Sequence, residues 1–113
     1  MSYEEVKYSD GSFRREWRNA SCDYHRELAP AIISYHTDGY IMGESFYFHG
    51  RMHREDGPAH ISYYPDGSTE REWFYLNGKF LGYNEEGFWV LWDNLNEEQH
   101  RSPEILKRLS GFS

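Results

Sequence analysis

The sequence has little of what would place a chain of 113 residues in a common functional class. It holds one cysteine, Cys22. That excludes an intrachain disulfide and a four-cysteine zinc site, and it fits a reducing compartment. No apolar run approaches the ~20 residues of a membrane-spanning helix. The opening stretch MSYEEVKYSD has neither a basic start nor an apolar centre, so no secretory signal is expected. Basic residues are in the minority, 12 Lys and Arg against 19 Asp and Glu, giving a formal charge of −7. This argues against broad electrostatic binding to nucleic acid or anionic lipid. Branched aliphatic residues are scarce too, with 14 Ile, Leu and Val; in their place stand 21 aromatic rings, 19% of the chain. So many rings argue against disorder, and the length allows one domain, residues 1–113.

What is present is a repeat. Asp10-Gly11, Asp38-Gly39 and Asp66-Gly67 are evenly spaced at 28 residues. The same step carries Glu16 onto Glu44 and Glu72, and Trp17 onto Trp73. It carries His25-Arg26-Glu27 onto His53-Arg54-Glu55, and Ile33-Ser34-Tyr35 onto Ile61-Ser62-Tyr63. Each unit reads as two short strands. Tyr64-Pro65-Asp66-Gly67-Ser68 is a turn, in which Pro fixes φ and Gly supplies a positive one. The aromatic run Thr69 to Leu76 follows as a strand. Asn77-Gly78 reverses it, as do His49-Gly50 in the second unit and Ser21-Cys22 in the first. His53 to Pro58 is a polar connector. Ala59, Ile61 and Tyr63 then alternate on one face, as do Ala31, Ile33 and Tyr35.

Tight turns between short strands predict a single-layer antiparallel β-meander of about six strands. The repeat sheet is expected over about 8–93, with a helical cap over 94–113. The third unit leaves the pattern after Lys79, and Phe88 to Trp92 is its most apolar run. Asp93 or Asn94 is expected to start a helical turn. Ser102-Pro103-Glu104 is expected to start a second helix with an Ile105, Leu106, Leu109 stripe, ended by Gly111. An array needs such an atypical terminal unit.

Neighbouring units sit about 10 Å apart across the sheet, two strand spacings. The step of 28 therefore predicts one column of Trp17, Ser45 and Trp73 flanked by Tyr47 and Tyr75. It predicts a second column of Glu16, Glu44 and Glu72 on the opposite face, beside Phe46 and Phe74. Rings on both sides of a thin sheet suggest a surface left for a partner, since Tyr, Trp and Arg anchor interfaces.

Enzymatic readings fare worse. His25 and His53 are repeat equivalents, too far apart to share one zinc, whose nitrogen ligands lie within ~3.5 Å of each other. No metal or cofactor is expected, and the His-Arg-Glu triplet reads as hydrogen bonding that fixes the connector. Copied glutamates make a charge ladder with Arg14, Arg15 and Arg71 rather than the differently tuned carboxylates of a catalytic pair. Cys22 has no positioned base in its neighbouring sequence. Arginines interleaved with rings leave two alternatives open, a single-strand nucleic-acid platform and a pocket that sequesters a nucleotide or other small ligand. The acidic balance opposes the first.

The H-R-E-D-G-P-A stretch at 53–59, the D-G-S turn at 66–68 and the E-W-F-Y-L-N-G hairpin at 72–78 resemble a repeat of bacteriophage and giant-virus proteins, distantly similar to MORN repeats. The first unit departs from it: Leu28-Ala29 replaces Asp-Gly, and Ser21-Cys22 replaces Asn-Gly. The resemblance implies a virus-encoded, cytoplasmic interaction module with no catalytic residue to carry over. The expectation is a non-enzymatic protein that occludes a host protein, with Trp17, Tyr47, Trp73 and Tyr75 as the ring platform and Glu16, Glu44 and Glu72 as the acidic column. A homodimer is the self-association variant, and no membrane is involved.

Overall fold

The computed structural model describes residues 3–111. Among these residues, nine strands are followed by three helices. They are β1 (Glu4–Lys7), β2 (Phe13–Glu16), β3 (Ile32–Tyr35), β4 (Ile41–Ser45), β5 (Tyr47–Phe48), β6 (Arg51–Met52), β7 (His60–Tyr63), β8 (Thr69–Leu76) and β9 (Lys79–Tyr83), then α1 (Asn84–Asn94), α2 (Glu97–His100) and α3 (Pro103–Ser110). Seven strands form one open antiparallel sheet in the order β1-β2-β3-β4-β7-β8-β9, and β5-β6 is a separate ribbon. The meander is therefore mainly β, as the turns predict, with seven strands in its main sheet.

The turn chemistry explains the hairpins. Gly11, Gly39 and Gly67 have φ of 93°, 91° and 89°, a conformation that only glycine adopts cheaply. Asp10 Oδ1 accepts from Ser12 N at 2.9 Å, and Asp66 Oδ1 accepts from Ser68 N at 2.9 Å. The serine hydroxyls donate to the same oxygens, and these bonds hold both carboxyls below the usual aspartate range. At the other end of each unit, His49-Gly50 and Asn77-Gly78 both take φ of 50° and 83°, the left-handed pair of a two-residue hairpin.

The helical part begins at Asn84, ten residues before the Asp93–Asn94 start that the sequence suggests. Phe88 to Trp92 lies within α1 rather than in the sheet. Phe74, Phe88, Leu91, Leu95 and Ile105 close around each other as the core. Gly82 and Gly87 let strand and helix backbones meet: a Cβ on Gly87 would overlap the Gly82 carbonyl and stand 2.6 Å from Phe74 Cδ1. The second expected helix start holds, with Pro103 in the first turn of α3 and Gly111 as its C-cap. Ser102 occupies the N-cap position without a side-chain hydrogen bond.

Candidate functional site

The strand ladder decides which side chains share a face. Residues directly opposite across an antiparallel pair point the same way. One row runs Glu4, Glu16, Ile32, Ser45, His60, Trp73, Tyr83. The adjacent row, on the other face, runs Glu5, Arg15, Ile33, Glu44, Ile61, Glu72. Glu16 thus aligns with Ser45 and Trp73, not with Glu44 and Glu72. Trp17 aligns with Phe46 and Phe74: Trp17 N donates to Ala31 O at 2.8 Å as Phe46 N donates to Ala59 O at 2.6 Å.

The step of 28 fails here for a local reason. The second and third units carry an extra strand residue, Met42 and Glu70, where the register shifts between Ser34/Tyr35 and between Ser62/Tyr63. The first unit lacks it, since Val6 pairs Arg14 directly after Lys7 pairs Phe13. It regains the residue in its hairpin, where three residues separate Asn19 from Asp23. A one-residue slip turns every intervening side chain to the opposite face. The predicted glutamate column and the Trp17–Trp73 column are both corrected on this ground.

The cap face bears the three aligned rings, each with an arginine over it. Arg26 lies over Trp17 at 3.9 Å, Arg54 over Phe46 at 4.0 Å, and Arg108 of α3 over Phe74 at 5.9 Å. Trp17 is buried and leaves the expected platform. The acidic column is not a free surface either. Glu72 takes both oxygens to Arg108 Nη1 at 2.8 and 2.6 Å. Glu44 accepts from the Tyr63 hydroxyl at 2.5 Å, and burial followed by this carboxylate pushes that hydroxyl's pKa up. Glu16, on the far face, is buried between Arg14 at 2.6 Å and Arg18 at 3.0 Å.

The far face keeps the other three platform rings and adds to them. Tyr24 and Tyr47 have centroids 5.3 Å apart, Tyr75 and Phe80 5.2 Å, Phe80 and Tyr83 4.8 Å, and Trp73 and Tyr83 6.0 Å. The His60 ring lies 4.6 Å from that of Trp73. Its Nδ1 meets Ser45 Oγ at 2.6 Å, and burial holds its pKa below the ordinary histidine value. Phe80 is 42% and Tyr83 52% exposed. Strand alternation after the Asn77-Gly78 turn points to Phe80; Tyr83 needed the register shift between Phe74 and Tyr75 to be known.

The connectors join unit to unit. His25 Nδ1 accepts from His49 N at 2.9 Å, and His53 Nδ1 accepts from Asn77 N at 2.9 Å. Each imidazole thus holds the left-handed residue at the tip of the next hairpin, while the arginine of the triplet bonds within its own connector, Arg26 to the Pro30 carbonyl and Arg54 to the Pro58 carbonyl. Among the described residues, no three His, Cys, Asp or Glu gather as metal ligands.

Between the two connectors lies an open groove of about 600 Å³, floored by Phe46 and Phe48 and edged by Arg26, Leu28, Arg54 and Glu55. Gln99 of α2 closes one end through a hydrogen bond to Glu55. Comparison with known protein families, curated proteins and solved structures found no match.

Proposed function

We propose that the chain is a non-enzymatic protein-binding module whose anchor is the far-face ring band. The observation that carries this reading is the run of Tyr47, Trp73, Tyr75, Phe80 and Tyr83 on the sheet side opposite the Phe74–Phe88 core. Half-buried rings, fixed by their neighbours, offer contact area at little entropic cost, which is how aromatic anchors act at interfaces. The resemblance of the repeat adds the further reading of a virus-encoded inhibitor that occludes a host protein in the cytoplasm. The charge of −7 suits a partner with a basic surface.

The test is capture of a partner by the wild type and by Phe80→Ala and Tyr83→Ala. Both rings are exposed enough that truncation leaves circular dichroism unchanged; loss of capture supports the reading, and unchanged capture removes it. Sedimentation of the purified chain distinguishes a hetero-partner from a second copy. The groove favours a second reading, a protein that sequesters a small ligand, because its size lies within the range of small-molecule sites. A thermal shift that grows with nucleotide concentration by mass action would favour that reading.

A further inference from the structure

The two connectors hold their arginines alike but differ in the two residues after the His-Arg-Glu triplet, Leu28-Ala29 in the first and Asp56-Gly57 in the second, and of these only Leu28 has a left-handed φ. In the second, Arg54 lies 4.0 Å over Phe46, donates through Nη1 to the Pro58 carbonyl at 3.2 Å and through Nε to Asp56 Oδ1 at 2.9 Å. In the first, Arg26 lies 3.9 Å over Trp17 and donates through Nη1 to the Pro30 carbonyl at 3.2 Å. The pose is the same, but the residue in the place of Asp56 is Leu28. Arg26 has no ion-pair partner among the described residues, whereas Arg54 pairs Asp56.

Leu28 is unusual in its own right. It is fully exposed, with φ of 60°, a left-handed conformation that costs a residue with a Cβ roughly 1–2 kcal/mol. It stands at the rim of the groove beside Arg26, close to Phe48, which is 43% exposed. A guanidinium held in place with its carboxylate missing, next to two uncovered apolar side chains, describes half of a recognition site.

We propose that this groove receives a segment of the partner protein that presents one carboxylate beside an apolar side chain. The carboxylate takes on Arg26 the position that Asp56 holds on Arg54, a charge-assisted bond with fixed geometry. The apolar side chain rests on Leu28 and Phe48. The overall charge of −7 repels a run of acidic residues, so the segment carries a single carboxylate rather than an acidic stretch. This inference rests on the protein-binding reading above and names the chemistry of the partner.

The experiment follows the Arg Nε–Hε resonances of the full-length ¹⁵N-labelled protein during titration with acetyl-Asp-Leu-amide. Acetyl-Asn-Leu-amide and acetate are run in parallel. The expected result is a saturable shift of the Arg26 resonance at millimolar peptide, at least several-fold smaller with the Asn peptide, while Arg54 stays in place. Leu28→Asp supplies the carboxylate in cis. It is expected to abolish the Arg26 response and to raise the melting temperature, because Asp tolerates a left-handed φ better than Leu. The proposal is overturned if Arg54 responds as Arg26 does, if Arg26 does not respond, or if Leu28→Asp responds like the wild type. An equal response to acetate overturns recognition of a peptide segment in favour of a small anion. A partner captured equally by wild type and Leu28→Asp, yet lost with Phe80→Ala, sinks this proposal and leaves the protein-binding reading standing.

Discussion

Trp17, Phe46 and Phe74 occupy equivalent places in three successive units, yet each is covered differently. The first two lie under the arginine of their own connector. The third has no such connector: α1 and α3 take its place, and Arg108 enters from a helix to hold the Glu72 carboxylate. The result is graded burial, with Phe74 fully enclosed, Trp17 7% exposed and Phe46 only partly covered. Trp17 has the Tyr3 ring beside it as well as the arginine, with centroids 5.1 Å apart, whereas the helices exclude water from all of Phe74. The comparison teaches that the array gains its core where the repeat stops.

The sharpest way to test that contrast is truncation of the rings. Phe74→Ala is expected to cost about 3–5 kcal/mol, the range for a buried Phe, and Phe46→Ala clearly less, as read from urea midpoints at constant slope. Gly87→Ala separates the layers instead of emptying them and is expected to destabilise by about 1–3 kcal/mol or more. Replacing the lids comes next. Arg108→Met leaves Glu72 without its two bonds and is expected to cost about 1–3 kcal/mol. Arg54→Met loses the bonds to Asp56 and to the Pro58 carbonyl, but the Asp56 side chain it leaves behind is 45% exposed and regains water, so it is expected to cost less than that. The junctions between units give a smaller effect. His53→Phe removes the acceptor of Asn77 N–H and is expected to cost about 1 kcal/mol, with faster hydrogen exchange confined to the 77–78 turn.

The smallest expected effect is in the pH dependence. Burial keeps His60 below its ordinary value of 6.5, so the unfolded chain binds its proton first as pH falls. Stability is therefore full above about 6.5 and declines below it. His60→Gln should flatten that decline. An unchanged slope would mean that the far-face row is wetter than its geometry indicates.

Much of this was legible in the residues. Asp-Gly turns, the strand from Thr69 to Leu76 and the Ser102-Pro103 helix start each rest on local chemistry that a few side chains determine. The failures share a different cause. Phe88 to Trp92 is a short apolar run, which periodicity does not assign to strand or helix. The face of Glu16 and Trp17 depended on a single residue moved from a strand to a turn, so the overall spacing stayed at 28 while the register between changed sign. Copy spacing measures length, and faces depend on parity. Leu28 was visible as a departure from the Asp-Gly pattern, but its meaning needed the Arg54–Asp56 pair beside it. Phe80 and Tyr83 lie beyond Lys79, where the repeat ends, so no step of 28 marks them.

The imidazole that grips the tip of the following hairpin has a consequence for engineering. Because both internal joints use the same grip, the chain behaves as a ruler with one graduation length: duplicating residues 25–52 in frame should lengthen the molecule by one step and leave the helical end-stop untouched.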